Sequence, residues 1–232
     1  MRRLILFDID GTLLLTAGAG RRAVLAALHE AAGGSSGYDR VRFDGKTDPQ
    51  IIAELLHAAG DPDPCEPGRL AALCERYVTL LEQELAAGTS TAALLPGVPA
   101  LLDALAPRTD VVTGLLTGNL ARGAALKLRA AGLDPARFAV GAYGSDSGVR
   151  AELPPIAAAR AAPLMGRVPG GHEVVIIGDT PADLLCGRGI GARAIGVCTG
   201  AYGRADLLPH EPHAVFDDLT DTAGVLAALL DD

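Results

Sequence analysis

Phe7-Asp8-Ile9-Asp10-Gly11-Thr12-Leu13 closes a short apolar, β-prone run, Leu4 to Phe7. Gly11-Thr12 interrupts that run, so the spacing predicts a strand with two aspartates at its carboxyl end. Side chains two apart on a strand point to one side, which lets Asp8 and Asp10 converge on a single atom. Two carboxylates held together repel unless a cation or a shared proton offsets their charge. At the carboxyl edge of an α/β sheet, where ligands bind, such a pair marks a reaction site built around a cation.

The pattern then turns helical. Apolar positions at helical spacing run from about Arg21 to Ala32 and stop at Gly33-Gly34. Thr47-Asp48-Pro49 reads as a helix start, a capping hydroxyl followed by a proline where no donor is needed. That helix carries Ile51, Ile52, Leu55 and Leu56 and ends at Gly60; a longer one spans Pro67 to Ala87 and is closed by Gly88. Residues 16–94 therefore form an all-helical block in which no strand is expected. From Pro96-Gly97 onward, strands alternate with helices. Strands are expected at Val111–Leu116, Phe138–Tyr143, Glu173–Ile177, Arg193–Val197 and Ala214–Phe216, and helices at Leu120–Ala131, Pro154–Ala162 and Ala182–Gly187. This alternation predicts an α/β fold, a doubly wound parallel sheet covered on both faces. The domain organisation expected is a core of residues 1–15 plus 95–232, with the block at 16–94 inserted as a helical cap domain.

Composition narrows the partners. A chain of 232 residues that is 49% apolar can bury a sizeable core, and a formal charge of −8 argues against nucleic acid or an anionic membrane as partner. No apolar run approaches the roughly 20 residues needed to span a bilayer. The four cysteines have no metal-like spacing and no secretory segment precedes the first strand, so reduced thiols and a cytoplasmic setting are expected. The five histidines form no cluster. A small soluble molecule is the expected partner, with the chain acting as a monomer or homodimer.

Three further strand ends share the edge that carries Asp8 and Asp10. One is Leu116-Thr117-Gly118-Asn119, a hydroxyl and free N–H groups ahead of a helix, suited to phosphate. Another leads to Asp146-Ser147-Gly148-Val149-Arg150, and the last is Gly178-Asp179-Thr180-Pro181-Ala182-Asp183. Each has an ordinary reading alone, as a cap or a surface charge. In this order, each after a strand, they resemble the motifs of the haloacid dehalogenase-like hydrolase superfamily over essentially the whole chain. The inserted helices resemble the cap of the subgroup containing phosphoglycolate phosphatase and β-phosphoglucomutase. The chain departs from the family pattern at the third motif, where Arg150 stands in place of a lysine. Arginine keeps the charge with a different reach and a forked donor set. Lys127 falls within a helix and Lys46 within the presumed cap, so neither is better placed by position.

The resemblance implies Mg²⁺-dependent phosphoryl transfer on a small phosphomonoester. Asp8 would be the nucleophile and Asp10 the general acid and base. Thr117, the N–H groups of Gly118 and Asn119, and Arg150 would hold the phosphate. Asp8, the Asp10 carbonyl and Asp179 would ligate the ion, while Asp183 would order a water on it. An acid at Asp10 favours phosphate esters over halides, whose departure needs no proton. In the cap, Lys46 either resembles a substrate-specificity residue or belongs to an ordinary polar loop, and Thr47 reads as a helix cap; Arg21 and Arg22 read as a solvated face. The rival readings are a phosphomutase on the same core and a non-catalytic binding protein. The latter class is marked by loss of Asp8, Asp10 or Asp179, all of which are present.

Overall fold

The computed structural model describes residues 2–32, 37–87 and 91–231; the expected helix stops at Gly33-Gly34 and Gly88 lie outside the described residues. In chain order the elements are β1 (Arg3–Phe7), β2 (Leu14–Leu15), α1 (Ala19–Ala32), α2 (Asp48–Ala58), α3 (Pro67–Ala86), β3 (Ala93–Leu94), α4 (Val98–Leu105) and β4 (Val111–Thr117). There follow α5 (Ala121–Ala130), β5 (Val140–Tyr143), α6 (Leu153–Met165), β6 (Val174–Gly178), α7 (Pro181–Cys186), β7 (Arg193–Val197), α8 (Arg204–Leu207), β8 (Ala214–Phe216) and α9 (Thr222–Leu230).

Six strands form one parallel sheet in the order β5-β4-β1-β6-β7-β8. The strand that carries the aspartates is central, with Phe7 registered against Leu115 on one side and Ile177 on the other. All five residues of β1 are buried, as expected for a parallel strand covered on both faces. The period of two divides its side chains. Ile5 and Phe7 join Leu115, Ile177 and the inner faces of α4 and α9 in one cluster, while Leu4 and Leu6 meet Leu116, Ile176 and α6 in another.

Helices α1, α2 and α3 have a separate apolar cluster, including Ala23, Leu28, Ile52, Leu55, Tyr77 and Leu81. Their apolar stripes face one another because none has a sheet to cover. The block is not purely helical: Leu14–Leu15 pairs antiparallel with Ala93–Leu94, a two-residue ribbon where the chain leaves and re-enters the α/β part. Among the described residues, no helix is long and apolar enough to cross a membrane. All four cysteines are free.

Candidate active site

The carboxyl ends of β1, β4 and β6, with the loop after β5, surround one cavity of about 360 Å³ that the helical block roofs. Asp8, Asp10, Thr117, Lys127, Arg150 and Asp179 all line it. Asp8 leaves β1 with its backbone N–H donating to the Ile177 carbonyl at 2.9 Å, which ties the turn to β6. Gly11 then turns with φ 82°, and a side chain there would come within 2.5 Å of the Asp179 carboxylate. Glycine thus permits both the turn and the close approach of the two acidic strand ends. Thr12 Oγ1 donates to Asp179 Oδ1 at 3.1 Å.

Asp8, Asp179 and Asp183 each present a carboxylate oxygen, the three within 4.8 Å of one another and all buried. Asp183 is held by its own helix start: its N–H donates to Thr180 Oγ1 at 3.3 Å, and its Oδ2 accepts from Thr180 N at 3.0 Å. This reciprocal cap explains the Thr-Pro-x-Asp spacing. The Arg150 guanidinium pairs with Asp8 Oδ1 at 3.0 Å and with Asp183 Oδ1. Arg150 Nε is buried with no hydrogen-bond partner.

One guanidinium does not compensate three buried acids. Burial, then the neighbouring Asp183 and Asp10, pushes the Asp8 carboxyl up to about 7 against the pull of Arg150. Burial, with Asp183 and Asp8 beside it, pushes Asp179 up to about 9. A cluster that cannot hold its charge unaided, made wholly of hard oxygen donors, suits a small divalent cation. The residues present therefore fit a hard divalent ion such as Mg²⁺.

The Asp10 side chain turns away from this cluster. Its Oδ2 accepts from Asn119 Nδ2 at 2.7 Å and from Lys127 Nζ at 2.6 Å. Lys127 also donates to Asn119 Oδ1 at 2.6 Å, and Asn119 Nδ2 reaches Thr117 Oγ1 at 2.8 Å. Burial opposes the Lys127 charge, but Asp10 and Asp48 outweigh it and hold the ammonium above its usual range.

Position within a helix thus hides Lys127 from the sequence reading, whereas the fold brings it to Asp10. The available signal is its place on the stripe Ala124, Lys127, Leu128 of α5, all buried. A lysine on an apolar helix face needs an acidic partner. Arg150 also lines the cavity, with its guanidinium paired to Asp8 and Asp183. Lys46 lines the cavity with its ammonium paired to Glu54. Thr47 caps α2, accepting from Gln50 N at 3.3 Å, as its place before Asp48-Pro49 predicts. Arg21, read as a solvated face, lines the cavity with its guanidinium 4.6 Å from the centroid of the Phe43 ring.

The family model for haloacid dehalogenase-like hydrolases matches residues 2–191. The chain belongs to that family, and it is a hydrolase. No curated protein matches it. Among solved structures, a hydrolase from Pseudomonas syringae is 23% identical, with a TM-score of 0.73, 97% of this chain covered and 98% of that one. A predicted phosphoglycolate phosphatase from Haemophilus somnus 129PT is 18% identical with the same TM-score and coverage. CbbY from Rhodobacter sphaeroides, in complex with phosphate, is 21% identical, with a TM-score of 0.72 and 95% and 96% covered. At these identities the likeness establishes the fold.

Proposed function

We propose that the protein is a Mg²⁺-dependent phosphatase that hydrolyses a small phosphomonoester through an aspartyl-phosphate on Asp8, with residues 16–94 as its cap domain. One observation carries the reading: the buried carboxylates of Asp8 and Asp179, the buried cations Lys127 and Arg150 and the Thr117–Asn119 turn face a single cavity, with Asp183 packed against the two acids. Neighbouring structures that include a predicted phosphoglycolate phosphatase and a phosphate-bound CbbY support it.

In this reading an Asp8 carboxylate oxygen attacks phosphorus and the ester P–O bond breaks. Asp10 gives its proton to the departing oxygen, then takes one from the water that cleaves the acyl-phosphate. Lys127 and Asn119 hold Asp10 for this work, and Lys127, which lines the cavity, would exchange part of that bond for a phosphate oxygen. Thr117 and the N–H groups of Gly118 and Asn119 cradle the remaining oxygens. Arg150 keeps Asp8 and Asp183 in register. Asp8, Asp179 and the Asp10 carbonyl would hold the ion, with Asp183 beside them; when bound, it draws charge from the phosphoryl oxygens. The rest of the cavity wall, including Val24, Phe43, Ile51, Arg21 and Lys46, meets the leaving group. Lys46 selects among leaving groups from there, its charge shared with Glu54.

The test is phosphate release across a panel of phosphorylated metabolites, with Mg²⁺ and with chelator. Metal-dependent release from at least one small ester is expected. Isomer formation without release would mark a phosphomutase, and inertness towards every ester would contradict the proposal.

A further inference from the structure

We propose that Asp48, the first residue of α2, is a positioning residue through which the helical block sets the phosphate-binding turn. Two bonds from this one residue straddle residues 118–120. Its backbone N–H donates to the Gly118 carbonyl at 2.7 Å, and its Oδ2 accepts from Leu120 N at 2.8 Å. Leu120 is the residue that caps α5, and its side chain makes no capping bond. An apolar residue at that position leaves the helix start unsupported from within its own segment. Support comes from outside instead: Asp48 takes the Leu120 N–H, and Ser145 Oγ takes that of Ala121 at 2.8 Å.

The seam is tight around this clamp. A side chain on Gly118 would lie 2.1 Å from the Lys46 carbonyl, so the block's backbone abuts the turn directly. Thr47 Oγ1 donates to the Gly148 carbonyl at 2.8 Å, fastening the same corner of the block to the loop that leads to Arg150. On its other side the Asp48 carboxylate interacts with the Tyr77 hydroxyl of α3 and with the Lys127 ammonium, and all three residues line the cavity. Asp48 therefore touches the block's interior, the phosphate turn and the neighbourhood of Asp10 at once. Seating the block and shaping the turn are one event, because Gly118 O and Leu120 N lose their partners when Asp48 withdraws.

The kinetic arm of the test rests on the phosphatase reading; the exchange arm does not. Asp48→Ala, Asp48→Asn and Asp48→Glu are compared with the wild type in Mg²⁺ with p-nitrophenyl phosphate, alongside amide hydrogen exchange over residues 118–124 and thermal melting. A displaced turn costs transition-state contacts, so Asp48→Ala is expected to lower kcat about tenfold or more with a smaller change in KM. The asparagine oxygen still accepts the Leu120 N–H, so Asp48→Asn stays within about threefold of wild type, while Asp48→Glu, with its carboxylate displaced, is impaired like alanine. Exchange at 118–124 speeds up in the alanine and glutamate variants and elsewhere is unchanged. Wild-type kcat in Asp48→Ala, an asparagine variant as slow as alanine, or a glutamate variant as fast as wild type would overturn the proposal. Should Asp48→Ala not fold, the asparagine–glutamate comparison decides it. A wild type inert towards phosphate esters would defeat the phosphatase reading, and the exchange pattern would still decide the clamp.

Discussion

Lys127 and Arg150 are both cations buried among acids, yet they face different partners and removing them should have different consequences. Arg150 compensates Asp8 and Asp183, the latter fully buried. Breaking a buried pair by deleting one partner costs about 3–5 kcal/mol, because a charge is left without compensation. Arg150→Ala is thus expected to lower the melting temperature sharply, and added Mg²⁺ to restore part of it. Lys127 instead meets Asp10 and Asn119, and Asp10 opens onto the cavity, where water can take over. Lys127→Met should keep the fold and lower kcat/KM by about 10²–10³-fold, the usual loss when one electrostatic contact to the transferring group goes. Melting curves and steady-state kinetics on the two variants check this; the opposite pattern would reverse the assigned roles.

Elements whose reasons are local were legible in the sequence. The run Val174 to Ile177 is apolar on both faces and is followed by Gly-Asp-Thr-Pro, so both the strand and the start of α7 follow from adjacent residues. Because Thr180 caps that helix through Asp183, Thr180→Ala should cost about 1–2 kcal/mol in denaturant unfolding; an unchanged midpoint would mean the cap contributes nothing. Elements whose reasons are distant were not legible. The β2–β3 ribbon joins Leu14 to Leu94 across the whole block, and two residues carry no period to read. Helix α9, Thr222–Leu230, is apolar almost all round, so it lacks the polar face that marks a surface helix. Helix α4 buries Val98, Leu101, Leu102 and Leu105, but at eight residues it spans little more than two turns. The same holds within the site. Asp8, Asp179 and Thr117 lie at the ends of readable strands, whereas Lys127 and Asp48 come to the cavity only through the packing of α5 against the block.

Taken as one molecule, the protein stores unfavourable charge at its centre, and its stability should depend on pH accordingly. Burial raises Asp48 to about 6, Asp8 to about 7 and Asp179 to about 9, each from an ordinary 3.8. Between 3.8 and those values the folded protein binds more protons than the unfolded chain, so stability falls as pH climbs through this window. The exposed His213, held low, works in the other direction as a single ring. Metal-free protein is expected to melt lower at about pH 8 than at about pH 5.5, and Mg²⁺, which binds the ionised acids, to raise the melting temperature more at the higher pH. A metal-free melting temperature that rises over this range would contradict the charge assignment. The account's central claim is a phosphoryl group carried transiently on Asp8. The direct test is to mix enzyme, Mg²⁺ and a hydrolysed ester labelled in its phosphate, quench in acid within a turnover, and map the label by peptide. The label should lie on the peptide containing Asp8 and be absent from Asp8→Asn; label on another residue, or phosphate release by Asp8→Asn at the wild-type rate, would contradict the account.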